Sequence, residues 1–174
     1  MTDAAHQPRT LEIDARVIAD DAPCYVIAEI GHNHQGSVEK AKQLFEEAHR
    51  CGAAAVKLQK RDNRTLYTRE AFNKPYDNEN SFGATYGEHR EALEFDRAQY
   101  EELQAYAADL GVTFFATAFD RPSADFLADL DMPAYKIASA DLTNTPLLRH
   151  VASIGKPTVL STGAATIDDV KRGV

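Results

Sequence analysis

Three charged side chains interrupt apolar runs that otherwise have the composition of buried β-strands. They are Glu29 in residues 25–30, Lys57 in residues 54–58, and Lys136 in residues 134–138. A buried charge is costly unless an opposite charge or a ligand compensates it. Three such charges on three separate strands therefore predict a shared pocket that binds a charged compound.

Further polar side chains lie at the ends of these and neighbouring predicted strands: Gln59, Thr117, Ser139, Asp141 and Ser161. In a barrel or open sheet of parallel strands, ligands bind at the carboxyl ends of the strands. Two lysines together with three hydroxyls predict a site for a phosphate or a carboxylate. The carboxylates of Glu29 and Asp141 are candidates for proton transfer or for recognition of a hydroxyl group.

Each of these residues also has a structural interpretation. Lys57 and Lys136 could lie at strand ends with their amines in water, and Glu29 could form a purely structural ion pair with one of them. The hydroxyls of residues 117, 139 and 161 could cap the helices that follow.

The histidines and Asp120 receive simpler interpretations. His32 and His34 have a spacing that suits a metal ion, but no third ligand is evident, which favours a role within a loop. Asp120 is interpreted as a helix cap rather than a catalyst. Three further histidines are predicted to lie at the surface: His49, His89 and His150.

Strand-like and helix-like segments alternate along the chain. Predicted strands cover residues 24–30, 54–59, 112–118, 134–139 and 157–161. Between them, apolar residues recur at helical spacing, with start or stop signals at Ser37, Gly52, Asp96, Gly111, Pro122, Pro146, Gly155 and Thr166. Short β-α repeats predict parallel strands, and continuous apolar strands predict a sheet covered on both faces.

Other segments lie outside this repeat. Residues 1–9 are predicted to be a disordered tail, and residues 10–22 a small antiparallel hairpin with a turn at 20–23, ahead of barrel-type units in residues 23–174. Residues 60–95 form a connection that is too long for a compact domain unless it is functional or disordered. Its aromatic residues argue against disorder, so it either covers a substrate or is a neutral insertion.

The composition is typical of a globular protein and not of a nucleic-acid-binding one. The chain has 174 residues, of which 44% are hydrophobic and 26% charged, and its net charge is −8. No apolar run is long enough to span a membrane, and the first residues lack the composition of a signal peptide. Cys24 and Cys51 are predicted to be reduced thiols, as in a cytoplasmic protein.

Five collinear motifs carry a resemblance to a known family. They are IAEIGHNHQG (27–36), AVKLQ (55–59), TAFD (117–120), YKIAS with DLTN (135–144), and GKPTVLSTG (155–163). In these segments the chain resembles the sialic acid synthase family, which includes N-acetylneuraminate, legionaminate and pseudaminate synthases. The resemblance runs in order from about residue 10 to the C-terminus.

The resemblance implies an α/β fold of the (β/α)8 TIM-barrel type, of which this chain holds roughly the first five β/α units. It also implies an enzyme that condenses phosphoenolpyruvate with an N-acylated amino-hexose such as N-acetylmannosamine, giving a nine-carbon 2-keto acid and phosphate. A divalent cation, manganese or magnesium, is expected in the complete family enzyme, with its ligands on later strands outside this chain. The complete enzyme is expected to be a homodimer.

Residue roles follow from the same resemblance. Positions that hold phosphoenolpyruvate and its phosphate are matched by Lys57, Thr117, Lys136, Ser139 and Ser161. Positions near the sugar and the reacting centre are matched by Glu29 and Gln59. Asp141 matches a position that is often acidic, which makes it a candidate for proton transfer or water activation.

The chain also departs from the family. Family enzymes are roughly twice as long, and Ala118 stands where proline is common. The chain is therefore expected to be a truncated fragment, or one half of a split enzyme that needs a complementing C-terminal half, and to be poorly soluble or oligomeric and inactive alone. A different chemistry is also open, namely a Schiff-base aldolase in which Lys57 or Lys136 attacks a carbonyl.

Overall fold

A computed structural model describes residues 9–174, which begin with an antiparallel hairpin of β1 (Thr10–Ile13) and β2 (Arg16–Ala19). Asp14 and Ala15 form its turn with φ values of 52° and 60°, the left-handed conformation that a two-residue type I′ turn requires. The predicted hairpin is confirmed, but its turn lies at these two residues and not at 20–23. The predicted tail falls outside the described residues, apart from Arg9.

Five parallel strands follow the hairpin. They are β3 (Ile27–Gly31), β4 (Ala55–Lys60), β5 (Thr113–Ala118), β6 (Tyr135–Ile137) and β7 (Thr158–Leu160). Each strand pairs with the next one along the chain, in the order β3-β4-β5-β6-β7. Consecutive parallel strands separated by helices are the arrangement of a TIM barrel, and this chain contains five of its β/α units. The predicted strands are confirmed, although the first begins only at Ile27 and the last two are shorter than predicted.

Eight helices lie in residues 9–174; the sequence signals predict five of them, and the three within residues 61–96 were not predicted. The eight helices are α1 (Val38–Arg50), α2 (Asn63–Leu66), α3 (Arg69–Phe72), α4 (Tyr86–Glu91), α5 (Arg97–Leu110), α6 (Arg121–Asp129), α7 (Thr145–Ile154) and α8 (Ile167–Gly173). Asp96 and Thr166 form the predicted capping boxes, while Gly111 and Gly155 end α5 and α7 in the left-handed conformation. None of the helices in residues 9–174 is both long and apolar enough to cross a membrane.

The long connection between β4 and α5, residues 61–96, is folded around α2, α3 and α4. Tyr76 and His89 pack against each other with ring centroids 4.6 Å apart. His89 is 8% exposed, so the prediction that it lies at the surface is wrong, because the segment's own aromatic residues cover it. Gly87 lets α4 approach α3 closely, since a Cβ atom there would lie 2.3 Å from the Phe72 ring.

The two faces of the five-stranded sheet are covered differently. The outer face packs against the helices through a large apolar cluster that includes Phe45, Leu58, Leu103 and Ile137. At the amino end of the inner face, Ile13 of the hairpin joins a smaller cluster with Ala55, Phe115 and Ala134. Side chains two residues apart on a strand share a face. The residues two positions further along therefore lie on the inner face towards the carboxyl ends: Lys57, Thr117 and Lys136.

Candidate active site

Lys57 lies at the centre of the candidate site. Its side chain is buried, and its ammonium group forms an ion pair with Glu29 and donates a hydrogen bond to Thr117 Oγ1 at 2.7 Å. The structure therefore brings together three predicted site residues from three neighbouring strands, β3, β4 and β5. The alternative in which the Lys57 amine extends into water is wrong, because Lys57 is buried. The ion pair between Glu29 and a lysine, which was the structural alternative for Glu29, is present.

Lys136 supplies a second ammonium group on the inner face. It is half-buried, and its Nζ donates a hydrogen bond to the carbonyl oxygen of Ile137 at 2.9 Å. Burial lowers the pKa of Lys136, and the positive charge of Lys57 lowers it further, while Glu29 acts in the opposite direction. Burial also lowers the pKa of Lys57, against the hydrogen bond and charge of Glu29. Two ammonium groups that repel each other beside one carboxylate leave a surplus of positive charge.

The ammonium groups also have unused hydrogen-bond capacity. Each ammonium has three N–H donors, and the contacts above use two on Lys57 and one on Lys136. The Glu29 side chain is 53% exposed, so the ion pair is open to solvent on the Glu29 side. An anionic ligand that enters from this side can accept the remaining donors and compete with Glu29 for Lys57.

Gln59 connects this centre to the rim of the sheet. It lies two residues beyond Lys57 on the same face, and its Oε1 accepts a hydrogen bond from Arg61 at 2.7 Å. A Cβ atom on Gly31 would lie 3.4 Å from both the Gln59 amide and the Glu29 carboxylate, so these two side chains flank the same glycine. Polar side chains therefore line the inner face without a break from Glu29 to Arg61.

Ser139 and Ser161 follow β6 and β7. Among residues 9–174, neither hydroxyl has a hydrogen-bond partner, which leaves both available to a ligand. A cavity of about 340 Å³ lies beside Ser139 and is lined in part by Thr143, Gly163 and Asp169. A second cavity of about 470 Å³ lies at the opposite, amino end of the sheet beside the hairpin, and it contains none of the predicted site residues.

Helix capping does not account for the three hydroxyl residues. The caps of the helices after β5, β6 and β7 are instead Asp120, Asn144 and Thr166. The capping alternative for residues 117, 139 and 161 is therefore wrong, while the interpretation of Asp120 as a cap is confirmed by its bond from the Ser123 N–H at 2.7 Å.

Asp141 lies apart from Glu29 and the lysines. It ends a one-turn 3₁₀ helix, Ser139–Asp141, and its carboxylate accepts a hydrogen bond from Asn144 Nδ2 at 3.3 Å. Burial raises the pKa of Asp141 against this hydrogen bond, and the negative charge of Asp120 raises it further. No described contact joins Asp141 to Glu29, so the structure does not bring the two candidate catalytic carboxylates together.

The structure brings together three residues that we call the arginine cluster: His32, Arg61 and Arg90. Sequence reasoning considered His32 only as a possible metal ligand or loop residue, and it missed both arginines. Arg61 Nη1 lies 3.2 Å from His32 Nε2, and Arg90 Nη1 lies 3.4 Å from His32 Nδ1. Arg61 extends the alternation of Lys57 and Gln59 by one more step, which is a signal that could have been found. Arg90 has no such signal, because its position depends on how residues 61–96 fold.

The described residues do not form a metal site. Within residues 9–174, no group of three or more His, Cys, Asp or Glu side chains is placed to hold an ion. His34 is instead buried, with its ring stacked on Phe95 at 4.2 Å and its Nδ1 accepting the Gly36 N–H. Burial, with the charge of His32, lowers the pKa of His34 to about 4. The described residues therefore do not fit the expected divalent cation.

Comparison with known proteins bears on the identity of this site. Residues 44–174 match the NeuB family. The N-acetylneuraminate-9-phosphate synthase of Mus musculus is 40% identical over 95% of this chain, and that of Drosophila melanogaster is 47% identical over 85%. The matches cover 46% and 40% of those proteins, so the chain spans about half the length of the curated relatives it matches.

A solved structure gives the same result for the fold. The N-acetylneuraminic acid (sialic acid) synthetase of Leptospira borgpetersenii serovar Hardjo-bovis, crystallised with citrate, superposes with a TM-score of 0.80 at 26% identity. The match covers 97% of this chain and 55% of that one. The resemblance seen in the five motifs is confirmed, and the chain belongs to the NeuB family of sialic acid synthases.

Proposed function

We propose that the protein condenses phosphoenolpyruvate with an N-acylated amino-hexose of the N-acetylmannosamine type, giving a nonulosonic acid and phosphate. Family membership supports the reaction class. The observation that carries the proposal is the buried ammonium of Lys57, held between Glu29 and Thr117 and followed by a second ammonium, Lys136. This surplus of positive charge suits a substrate that carries both a carboxylate and a phosphate.

In the proposed reaction, Lys57 and Lys136 bind the anionic groups of phosphoenolpyruvate, and the hydroxyls of Thr117, Ser139 and Ser161 donate further hydrogen bonds. The π electrons of phosphoenolpyruvate form the new bond from its carbon 3 to the sugar aldehyde carbon, whose oxygen takes up a proton. Water then adds to carbon 2 and loses one proton, and the resulting hydroxyl passes its proton to the departing phosphate as the C–O bond breaks, which leaves the ketone. The atoms balance as phosphoenolpyruvate, aldehyde and water giving 2-keto acid and phosphate.

The carboxylates of Glu29 and Asp141 have different roles in this scheme. Phosphoenolpyruvate competes with Glu29 for Lys57, which frees the Glu29 carboxylate to accept a hydrogen bond from the sugar. Asp141 has a pKa raised by burial and is assigned to proton transfer or water activation. We further propose that the complete enzyme is a homodimer, or that a complementing half completes it, and that manganese or magnesium takes its ligands from outside residues 9–174.

The sugar substrate contributes carbons 4 to 9 of a nine-carbon product, because phosphoenolpyruvate supplies the first three. The mouse and fly relatives are named N-acetylneuraminate-9-phosphate synthases. A phosphate on carbon 9 of the product corresponds to a phosphate on carbon 6 of the hexose. The hexose and its 6-phosphate are therefore both substrates to test.

The decisive assay is phosphate release from phosphoenolpyruvate with either sugar and manganese, using the chain together with a complementing C-terminal half. Lys57→Ala and Lys136→Ala should each abolish release, because each removes an ammonium that binds the substrate. Lys42→Ala is the matched control, since Lys42 pairs with Glu102 on the outer helices. Release that persists in both active-site variants would show that the site is assigned wrongly.

One observation favours a second candidate, a Schiff-base aldolase. Burial lowers the pKa of both Lys57 and Lys136, which favours the neutral amine that attacks a carbonyl. The synthase reaction forms no imine, so borohydride should trap no pyruvate on either lysine. Mass spectrometry of the treated protein distinguishes the two candidates, because a trapped adduct on Lys57 or Lys136 contradicts the synthase.

A further inference from the structure

The side-chain amide of Gln59 is held in one orientation by Arg61. The Arg61 guanidinium donates through Nη2 to Gln59 Oε1 at 2.7 Å. A guanidinium has five N–H donors and no acceptor, so the end of the amide that faces it must be the oxygen and not the nitrogen. The amide nitrogen, Nε2, therefore lies on the side of Gln59 that faces away from the guanidinium.

The amide nitrogen of Gln59 faces the centre of the candidate site. A Cβ atom on Gly31 would lie 3.4 Å from Gln59 Nε2 and also 3.4 Å from Glu29 Oε1. Gln59 follows Lys57 on the same face of β4, about 7 Å further along the strand. Within residues 9–174, Nε2 has no hydrogen-bond partner, so both of its N–H donors are available. A donor on Gln59 and an acceptor on Glu29 thus flank one glycine next to Lys57.

Arg61 is itself fixed from several sides. It is 8% exposed, and its guanidinium lies 3.7 Å from the centre of the Phe119 ring. Its Nη1 lies 3.2 Å from His32 Nε2, and its main-chain N–H donates to Glu94 Oε2 at 3.2 Å. Because these contacts order Arg61 before any ligand arrives, holding Gln59 costs little further conformational entropy on binding.

The positive charge of Arg61 has a negative partner within the fold. Glu94 accepts from Lys60 Nζ at 3.1 Å, and its other oxygen, Oε1, lies 3.7 Å from His32 Nε2. That oxygen is buried and, in the part of the chain that the structure describes, accepts no hydrogen bond. Burial and the charge of Arg90 lower the pKa of Arg61, while Glu94 acts in the opposite direction. The bond to Gln59 is therefore the contact through which Arg61 reaches the candidate site.

We propose that Arg61 is a positioning residue, which keeps the Gln59 amide turned so that Gln59 donates to an acceptor oxygen of the N-acylated amino-hexose. Arg61 acts through Gln59 and does not touch the substrate. Without Arg61 the amide is free to turn over, and in part of the molecules its oxygen would face the sugar oxygen, which is an unfavourable contact. The inference rests on the function proposed above and assigns the polarity of one contact: the protein supplies the hydrogen, and the sugar supplies the lone pair.

The first test concerns the polarity of this contact and does not require turnover. Isothermal titration with N-acetylmannosamine compares Gln59→Glu and Gln59→Met with the unmodified chain, each with its complementing half where one is needed. Glutamate has the shape of glutamine and still accepts from Arg61, but its carboxylate has no N–H to donate. Both variants should lose about fivefold or more in affinity for the sugar. If Gln59→Glu binds the sugar as tightly as the unmodified chain, Gln59 is an acceptor and the proposal is overturned.

The second test asks whether Arg61 acts through Gln59. Arg61→Met keeps an unbranched stem against Phe119 but removes every donor, and it should lower the affinity for the sugar about fivefold. The affinity for phosphoenolpyruvate should stay within about twofold, because Lys57 lies about 13 Å along the strand from Arg61. In the Gln59→Met background, Arg61→Met should cause no further loss for the sugar, since residues that act as a unit are not additive. An equal loss in both backgrounds overturns the proposal, because Arg61 would then act on the sugar directly or on the fold as a whole.

Arg64→Met is the matched control. Arg64 belongs to the same segment, and its guanidinium lies 4.3 Å from the centre of the Phe72 ring, but it is exposed and pairs with Glu91. This variant should bind the sugar as the unmodified chain does. Urea unfolding shows whether each variant is folded. Where Arg61→Met is not, Arg61→Lys replaces it, since an ammonium cannot reproduce the fork that contacts both His32 and Gln59; its smaller loss should likewise vanish in the Gln59→Met background.

The two proposals fail in different ways. If the condensation is wrong, the unmodified chain with its complementing half releases no phosphate from phosphoenolpyruvate with the sugar. If only the role of Arg61 is wrong, phosphate is released, but Arg61→Met lowers the affinity for the sugar equally with and without the Gln59 amide. A rise in the KM for the sugar that depends on Gln59, with the KM for phosphoenolpyruvate unchanged, is the result expected if both are right.

Discussion

Replacing Glu29 by glutamine should change the stability of the fold and the affinity for phosphoenolpyruvate in opposite directions. Glu29→Gln keeps the shape of the side chain but leaves the buried Lys57 ammonium without its carboxylate. Removing one partner of a fully buried pair costs about 3–5 kcal/mol. Because Glu29 is half-exposed and water can take its place, we expect a smaller loss in the free energy of unfolding, about 1–3 kcal/mol.

The same substitution should favour the anionic substrate. In the unliganded site Glu29 competes for Lys57, so the substrate must displace an existing ion pair. Without that competitor the lysine presents its full charge and a free N–H donor. We expect phosphoenolpyruvate to bind about fivefold more tightly, which corresponds to about 1 kcal/mol. Condensation should nevertheless slow, because the carboxylate next to the sugar is lost.

Urea unfolding followed by circular dichroism measures the first effect, and isothermal titration with phosphoenolpyruvate measures the second. Glu102→Gln is the matched control, since Glu102 is 51% exposed, close to the 53% of Glu29, but its partner Lys42 is far less buried than Lys57. Its unfolding midpoint should stay close to that of the unmodified chain. If Glu29→Gln weakens phosphoenolpyruvate binding, Glu29 does not compete for Lys57 and the proposed electrostatics are refuted.

Three further changes test other parts of the structure. The pKa of His34 is lowered to about 4, so the unfolded chain binds more protons between pH 4 and 6.5; stability should fall by about 3 kcal/mol as the pH drops through that range. The free energy of unfolding, measured in urea, should depend less on pH in His34→Gln than in the unmodified chain. The same pH dependence in both proteins would contradict this. Lys136→Met should weaken phosphoenolpyruvate binding about tenfold in a titration, whereas Lys156→Met, at the amino end of the sheet, should not. Gly87→Ala should lower the melting temperature and open residues 61–96 to proteolysis, since its Cβ would overlap the ring of Phe72; unchanged cleavage would show that this packing is not needed.

The framework of the fold could be predicted because its signals are local. Helix ends depend on residues next to each other in sequence, such as Asp96 with Gln99, and strand identity depends on short apolar runs. The parallel order followed from the β-α alternation alone. Strand bounds were less accurate: residues 24–26 are apolar enough for a strand, but β3 begins only at Ile27.

The candidate site was predictable where it lies on strands and not where it depends on packing between distant segments. Lys57 and Glu29 were identified as charges within apolar runs, and their pairing follows from the β3–β4 register. The arginine cluster was missed because Arg90 reaches His32 only after residues 61–96 have folded over the rim. The burial of His89 was missed for the same reason, since its cover comes from the aromatic residues of that segment.

The placement of positive charge in this acidic chain limits how it can recognise its substrates. The net charge of −8 gives no long-range attraction for anions, and charges further away than the screening length, about 8 Å at physiological ionic strength, are largely screened. Attraction must therefore come from contact, which requires cations that are buried or held by neutral partners, as Lys57 and Lys136 are. Such contacts are weakly screened by salt. The affinity for phosphoenolpyruvate should consequently depend little on ionic strength, and a steep salt dependence would place its binding on exposed lysines instead.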